Sequence, residues 1–373
     1  MLQALVKELI LRKKEFKNQT IETIYFGGGT PSLLSIAEIK LLLDTVYENY
    51  TVSADPEITL EANPDDLLKE KIYKLASTPI NRLSIGIQSF FDDDLKEMNR
   101  AHSAKEAREV LSVATRHFDN ITIDLIYGIP TMTDARWKEN LQIAFDFDVH
   151  HISSYALTVE PKTALYAFIK KGKYPPIDEE KALAHFEILV EETQKEGFVH
   201  YEISNFGKPD YFSRHNTSYW LGKSYLGIGP SSHSYNGTHR SWNVANNSKY
   251  IKAIQENSLP QEVEELSKND QFNEAIMTGL RTIWGVSLED ITIRFGLAYK
   301  NELLDNAKEF LDKGLLIIEI LNNQEEKSAL FGEVILPKIH YLSSGWARND
   351  SFLKITKKGK FLSDGIASSL FKI

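Results

Sequence analysis

The sequence predicts an α/β fold built on a parallel sheet, followed by a smaller C-terminal α+β domain of winged-helix type. In the first half, short β-rich runs alternate with helical stretches, and polar or glycine residues follow the ends of those runs. From about Ser267 the order becomes three helices, a strand, and a closing strand and helix. Alternation of strands and helices is typical of parallel sheets, in open doubly wound folds and closed barrels alike.

The chain opens with a predicted helix, because apolar residues at helical spacing occupy the segment Leu2 to Phe16. The predicted strands are Ile21–Phe26, Glu57–Ala62, Arg82–Gln88, Ile121–Tyr127, His151–Thr158 and Tyr201–Phe206. A helix is expected at 179–196 and an irregular, aromatic-rich stretch from Phe206 to Asn243. The first five strands read as nearly continuous apolar runs, which predicts a sheet buried on both faces.

In the last third, helices are predicted at 270–282, 287–295 and 299–313, and a final strand and helix near 352–371. Leu321 to Asp350 reads as a long wing or loop. We therefore predict a barrel domain at 1–200, a connecting segment at 201–265 and a winged-helix-like domain at 266–373.

Composition narrows the functional classes. The 373 residues carry a net charge of -9 and 42% hydrophobic residues, so a general attraction to nucleic acid or anionic membranes is not expected. No apolar run is long enough to span a bilayer, and the N-terminus lacks a signal-peptide pattern. We expect a cytoplasmic protein without an integral membrane segment. The chain has no cysteine, which excludes thiolate ligands and nucleophiles from this chain.

A glycine-rich loop, GGGTPS from Gly27 to Ser32, directly follows the first predicted strand. Three glycines let the backbone approach a ligand and present N–H and C=O groups to it. The alternative is an ordinary strand-to-helix turn. The loop matches neither the Walker A pattern nor the dinucleotide-binding pattern.

Polar residues mark the ends of the next strands. Glu61 and Gln88 each follow an apolar run, and Asp124 lies inside one, where an unpaired charge would be costly. Arg100 and His102 follow a helical turn, where a surface arginine and an exposed histidine are the common alternative. Taken together with the glycine loop, these residues predict a binding site at one edge of the sheet.

The motifs GGGTPS, LEANP, RLSIGIQSF, NRAH and DLIYGIP, in this order, resemble those of the radical-SAM family of oxygen-independent coproporphyrinogen III oxidase and its HemW-type relatives. The resemblance implies a partial (βα) TIM-like barrel that binds S-adenosylmethionine. The residues implied as contacts of S-adenosylmethionine are Gly28, Gly29, Thr30, Glu61, Gln88, Arg100, Asp124 and Ala156. The family usually has Gly-Arg where this chain has Asn99-Arg100.

YEISNF, HNTSYW (His215 to Trp220) and GIGPSSHS resemble the HemW-type branch, in which an HNxxYW motif is associated with haem. The resemblance implies a haem site formed by His215, Asn216, Tyr219 and Trp220, with His215 as a ligand of the haem iron. Imidazole can ligate iron and aromatic rings can pack on a porphyrin. On chemistry alone, a packed loop with a hydrogen-bonded histidine remains the alternative. His233 is a second ligand candidate.

The resemblance also implies a 4Fe-4S cluster held by a CxxxCxxC motif, which this sequence does not contain. The family carries that motif on a loop after its first strand, whereas this chain begins in the helix that follows. A start assigned too far downstream and a gene for a cluster-free protein are the two explanations. The uncovered sheet edge favours the first. The cluster is expected only in a longer form carrying the motif, and this chain by itself is not expected to cleave S-adenosylmethionine reductively.

The resemblance implies a haem-binding, chaperone-like protein that binds S-adenosylmethionine and delivers haem to an acceptor protein, whose identity the sequence does not reveal. The alternative is an oxygen-independent coproporphyrinogen III oxidase-type enzyme of porphyrin biosynthesis. A third interpretation takes the winged-helix-like domain as a nucleic-acid module, but the acidic charge argues against it. In the family this domain is better understood as a lid over the barrel.

Overall fold

The computed structural model describes residues 1–320, 330–331, 334–335 and 351–373. Contacts divide the chain into two units. The first, which we call the sheet unit, comprises Asn18–His200 and Ser204–Phe212. The second unit comprises Met1–Lys17, Tyr201–Ile203 and Ser213–Ile373. The first 17 residues thus group with the second unit, a difference from the barrel domain at 1–200 that the sequence suggested.

The sheet has seven strands in the order β1-β2-β3-β4-β5-β7-β6. Pairing is parallel from β1 to β5 and antiparallel between β5 and β7. The sheet is curled and open, the half-barrel form of the predicted fold. The strands are β1 (Thr20–Phe26), β2 (Thr51–Ala62), β3 (Arg82–Gln88), β4 (Asn120–Tyr127), β5 (His151–Ala156), β6 (Val199–Glu202) and β7 (Asn205–Gly207).

Helices connect these strands, and their ends follow local sequence signals. Ser35 and Ser103 each form a capping box. The serine side chain accepts a hydrogen bond from the backbone N–H of a glutamate three residues later, and the side chain of that glutamate accepts one from the serine backbone N–H. The helices are α2 (Ile36–Asn49), α3 (Lys69–Leu75), α4 (Asp92–Glu97), α5 (Ala104–Ala114), α6 (Asp134–Asp146), α7 (Ala164–Lys170) and α8 (Glu179–Lys195).

The apolar side chains of β2 to β5 lie on the sheet face that carries the main hydrophobic core. Leu60, Leu83, Ile123 and Ile152 are fully buried there. The predicted burial on both faces is confirmed for most of β2 to β5, because Thr59, Thr122 and His151 on the opposite face are also buried. The strands are less continuously apolar than predicted, since many of the positions that alternate with the core residues carry polar side chains.

The second unit contains the remaining elements. Its helices are α1 (Leu2–Arg12), α9 (Arg214–Trp220), α10 (Asn247–Gln255), α11 (Lys268–Leu280), α12 (Leu288–Phe295), α13 (Leu297–Asp312) and α14 (Ser363–Ser369). Its strands are β8 (His233–Tyr235), β9 (His239–Asn243), β10 (Gln261–Glu265), β11 (Val286–Ser287), β12 (Leu316–Ile320), β13 (Leu330–Phe331), β14 (Val334–Ile335) and β15 (Ser351–Ile355).

The predicted winged-helix-like order is confirmed in α11, α12, α13, β12, β15 and α14, which surround a hydrophobic core of their own. Most of the predicted wing at 321–350 lies outside the described residues. The irregular structure expected for Phe206–Asn243 is wrong, because that stretch contains α9, β8 and β9. YEISNF contributes to two short strands, β6 and β7, rather than to one. Across the described ranges, no helix is long and apolar enough to cross a membrane.

Candidate functional site

The polar face of the half-barrel carries the predicted site residues. In-register pairing places Glu61 beside Ser84 on neighbouring strands, and Asp124 beside Ser153 on the next pair. These residues alternate with the core residues, so their side chains point away from the helices that cover the sheet. The curled sheet therefore gathers carboxylate, hydroxyl and amide groups on its concave face.

Glu61 is fixed beneath the glycine-rich loop. Its Oε1 accepts a hydrogen bond of 2.8 Å from the Tyr25 hydroxyl, and its Oε2 accepts one of 3.3 Å from the Gly28 backbone N–H. A Cβ atom on Gly27 would lie 2.6 Å from Tyr25 Cε1 and 3.0 Å from Glu61 Cδ. Glycine is thus needed at position 27 for this close approach, and Gly28 adopts a φ of +72°. Burial and the neighbouring Glu61 raise the pKa of Tyr25.

Gln88 ends β3 with a backbone φ of +65°, a conformation that residues other than glycine rarely adopt. Its side chain is buried and its amide nitrogen lies over Gly86, where an added Cβ would be 2.8 Å from it. Backbone strain of this kind persists where the surroundings impose it, and it concentrates at binding sites. His102 lies next to this turn: it is buried rather than exposed, and its Nε2 is 3.0 Å from the Ile87 carbonyl oxygen.

Asp124 has an unusual electrostatic environment. Burial, and then the charge of Glu61, raise the pKa of Asp124 to about 7, against the lowering effects of Arg100, Ser153 and Arg82. The Glu61 carboxylate therefore disfavours the charged form of Asp124. A positively charged ligand between them would relieve that repulsion and lower the pKa of Asp124.

These groups line a solvent-open cleft with a volume of about 170 Å³. Of the predicted contacts, Gly29, Thr30, Glu61, Gln88 and Asp124 line it directly. Gly28 reaches it through its hydrogen bond to Glu61. The other lining residues were not among the predicted S-adenosylmethionine contacts: they are Pro31, Ser32, Ala62, Asn63, Ser84 and Gly86. Asn63 and Ser84 lie in phase with Glu61 and Gly86 along their strands, so the two-residue periodicity was the signal that could have identified them.

Two predicted contacts lie apart from the lining. Arg100 is exposed after α4, and it acts on the cleft through its charge, which opposes the rise in the Asp124 pKa. Ala156 ends β5 with its side chain packed against the hydrophobic core. Their assignment as contacts of S-adenosylmethionine stays a prediction.

The HNTSYW motif occupies the last six of the seven residues of α9, in the second unit. His215 and Tyr219 are one turn apart on the same helix face, with the histidine Nε2 3.1 Å from the tyrosine hydroxyl. The rings of Tyr225 and Tyr235 continue the row, with 4.5 Å between the ring centres of Tyr219 and Tyr225 and 6.0 Å between those of Tyr225 and Tyr235. Tyr219 is 37% exposed.

The other motif residues differ in their surroundings. The Asn216 backbone N–H donates to Ser213 at the start of α9. Among the described residues, the buried indole N–H of Trp220 has no hydrogen-bond partner. His233 lies on β8, exposed, with its ring centre 6.0 Å from that of Trp242. The structure thus brings His215 and Tyr219 together and leaves His233 with a separate aromatic partner.

Comparison with known proteins assigns the chain to a family. Residues 2–144 match the Radical SAM superfamily, and residues 266–319 match the HemN C-terminal domain. The chain is 35% identical over 326 residues to the heme chaperone HemW of Bacillus subtilis, with 84% of each protein covered. The chain belongs to the HemW family of radical-SAM proteins.

Other comparisons agree with this membership. The HemW of Lactococcus lactis is 33% identical over 317 residues, which cover 84% of this chain and 83% of that protein. Among solved structures, coproporphyrinogen III oxidase (HemN) from Escherichia coli, described as a radical-SAM enzyme, superimposes with a TM-score of 0.77. It covers all of this chain and 82% of its own, at 20% identity. That likeness shows the shared fold.

Proposed function

We propose that this HemW-family protein binds haem through α9 and delivers it to an acceptor protein. Relatives that are 33% to 35% identical over most of the chain are named heme chaperones. The observation that carries the proposal is the pairing of His215 with Tyr219 on α9, beside the row formed by Tyr225 and Tyr235. A neutral imidazole nitrogen can ligate haem iron, and aromatic rings offer a flat apolar surface to a porphyrin.

The carboxylates and the exposed backbone groups of the half-barrel cleft are suited to S-adenosylmethionine, which carries positive charges and polar ends. Glu61 and Asp124 would stabilise the positive charges of the sulfonium and amino groups. The glycine loop and the Gln88 amide would hydrogen-bond the polar ends of the ligand. When bound, S-adenosylmethionine supplies a sulfonium centre. The residues of this chain bind and orient it and hold a titratable proton at Asp124.

The residues present do not fit a 4Fe-4S cluster, although such a cluster is typical of the radical-SAM family. The chain contains no cysteine, and the described residues include no group of three or more histidine or acidic side chains arranged for a metal. We derive no radical step from these residues. Haem binding through an imidazole does not require the cluster.

Haem titration tests the proposal. Wild-type protein is expected to develop a Soret band with one haem per chain, and His215→Ala is expected to weaken haem binding by more than about tenfold. His239→Ala is the matched control, because His239 lies in the same unit and its Nδ1 is 2.9 Å from the hydroxyl of Thr238. A wild-type protein without a Soret band, or equal affinities for wild type and His215→Ala, would contradict the proposal.

Transfer is tested separately from binding. Haem-loaded protein is mixed with a haem-free acceptor whose loaded spectrum differs, and the spectral change is followed with time. Transfer faster than the release of haem into buffer supports delivery. A transfer rate equal to the rate of release would reduce the function to haem binding.

A further inference from the structure

Residues Tyr201 and Glu202 of the YEISNF motif reach opposite ends of α9. Tyr201 is fully buried, and its hydroxyl oxygen accepts a hydrogen bond of 3.3 Å from the Ser213 backbone N–H. Ser213 is the N-cap of α9, and its side chain accepts a hydrogen bond of 3.2 Å from the Asn216 N–H. Tyr201 therefore fixes the residue at which the helix begins.

Glu202 reaches the other end of α9 through Arg281. The Glu202 side chain is 1% exposed and accepts hydrogen bonds of 3.2 Å and 3.4 Å from Nη2 and Nε of Arg281. Asp364 accepts a further bond of 2.6 Å from Nη1. The guanidinium carbon of Arg281 lies 5.0 Å from the ring centre of Trp220, the last residue of α9.

Backbone hydrogen bonds join the segment that carries Tyr201 and Glu202 to the segment that carries Arg281. The Ile203 N–H donates to the Arg281 carbonyl at 3.1 Å, and the Ile283 N–H donates to the Tyr201 carbonyl at 3.0 Å. Tyr201–Ile203 and Arg281–Ile283 thus pair antiparallel around the bridge between Glu202 and Thr282. We call Tyr201, Glu202 and Arg281 the helix clamp.

A helix as short as α9 depends on such contacts. A single isolated stretch of seven residues is too short to be helical in water. Trp220 adds no hydrogen bond through its indole within the described part of the chain, so packing and the charge of Arg281 set its ring orientation. A guanidinium held by two carboxylates presents a fixed plane to the ring, and that interaction is directional.

We propose that Arg281, held by Glu202, is a positioning residue for the haem motif: it fixes Trp220 and thereby the orientation in which α9 presents His215 and Tyr219. This inference rests on the proposed function. It gives the YEISNF motif and the C-terminal domain a common role, although neither contributes a haem ligand.

Fluorine NMR of protein labelled with 5-fluorotryptophan gives a readout that needs no haem. The chain has five tryptophans, and Trp220→Phe identifies the Trp220 resonance. Arg281→Met is expected to shift or broaden that resonance. Arg281→Lys keeps the charge without the planar stacking, so it is expected to restore only part of the wild-type position. The matched control is Arg136→Met, since Arg136 also pairs with a buried carboxylate, Asp94, and stacks on a ring, that of Phe91.

Haem titration supplies the second readout. We expect Arg281→Met to bind haem about fivefold more weakly, as the loss of one such cation–ring contact implies, with a Soret band altered in position. If Arg281→Met does not fold, the double variant Glu202→Gln, Arg281→Met removes both charges of this pair, so the Glu202 carboxylate is not left buried without Arg281. The same spectral and affinity changes are then expected of the double variant.

The two proposals fail differently. An unchanged Trp220 resonance and unchanged haem affinity in Arg281→Met, with His215→Ala still defective, would overturn the clamp and leave the proposed function intact. Equal haem binding by His215→Ala and wild type would overturn the proposed function, whatever the resonance shows. A change of equal size in Arg136→Met would reduce the effect to a general loss of stability and also overturn the clamp.

Discussion

Gly86 shows how one missing side chain can shape the cleft. An alanine there would place its Cβ 2.8 Å from the Gln88 amide nitrogen and 3.5 Å from Asn63 Oδ1. The Gln88 amide is the movable end of a side chain, so we expect it to shift while the strand stays folded. Gly86→Ala should therefore weaken S-adenosylmethionine binding by about tenfold, roughly the contribution of one hydrogen bond to a charged ligand.

Isothermal titration calorimetry measures this change. Gly365→Ala is the control, because a Cβ at Gly365 would meet nothing within 4 Å. Equal affinities of Gly86→Ala and wild type for S-adenosylmethionine would show that the Gln88 amide does not contribute to binding.

Asp124 should make the stability of the protein depend on pH. Its pKa is raised to about 7 in the folded protein, so between pH 4 and 7, roughly, the folded state holds a proton that the unfolded state has released. The free energy of unfolding must then fall as the pH rises through that window. Each unit of pKa difference corresponds to about 1.4 kcal/mol. Asp124→Asn should remove this slope and raise the stability at pH 8 by roughly 2 to 4 kcal/mol relative to wild type.

Urea unfolding at pH 5 and pH 8 tests the prediction. The exposed Asp44 on α2 serves as the control position, as Asp44→Asn. A parallel pH dependence in wild type and Asp124→Asn would contradict it. In wild type, S-adenosylmethionine binding near neutral pH should also release protons, because a cationic ligand lowers the pKa of Asp124.

At the scale of elements, the sequence predicts more of the sheet than of the connections. Strand β3 has the bounds that its sequence predicts, and β4 agrees to within one residue. The alternation of polar and apolar side chains is harder to detect from the sequence. In runs such as ITIDLIY, β-branched residues occur at positions on both faces of the strand and hide the two-residue pattern. A strict alternation would have indicated the polar concave face from the sequence alone.

Other errors arose where local pattern does not decide the structure. Thr51–Pro56 extends β2 although its polar sequence carries no strand pattern. Thr51 and Val52 pair with β1, and the pairing resumes at Glu57 after a shift of register. Helix α9 was missed because its seven residues lack an apolar stripe, and tertiary contacts decide its conformation. Among the cleft residues, Glu61 and Gln88 were predicted from their positions at the ends of apolar strands, and Asp124 from its position inside one, where an unpaired charge would be costly.

The N-cap of α9 is the element on which the proposed haem site depends. Ser213→Ala removes the hydroxyl that accepts from the Asn216 N–H, and loss of such a cap destabilises a helix by about 1 kcal/mol. In a helix this short we expect the loss to appear as fraying of α9 and a weaker haem affinity. Ser35→Ala removes the comparable cap of α2 in the sheet unit and should leave haem affinity unchanged. Equal haem affinities in the two variants would show that the order of α9 does not limit binding.

At the scale of the whole molecule, the N-terminal helix belongs with residues more than 200 positions away. Ala4 packs with Tyr250 and Ile254 of α10. The buried Glu8 carboxylate accepts hydrogen bonds from the Gly229 N–H at 2.8 Å, the Tyr250 hydroxyl at 2.6 Å and the Asn243 amide at 2.7 Å. The sequence could not predict this grouping, because helical periodicity gives the buried face of a helix but not the partner against which it packs.

Glu8→Ala should therefore destabilise the second unit. The substitution leaves these donors without their acceptor, while the buried Arg12 loses Glu8 but keeps its pair with Glu15. Each buried donor left without an acceptor costs about 1 to 3 kcal/mol. Hydrogen exchange should show lost protection at the amides of Gly229, Asn243 and Tyr250, while amides of β3 and β4 in the sheet unit keep theirs. Lys14→Ala, at an exposed position just after α1, should change neither set. Equal loss of protection in the sheet unit would contradict this prediction. It would show that the destabilisation by Glu8→Ala extends beyond the residues that Glu8 contacts and that the two units unfold together.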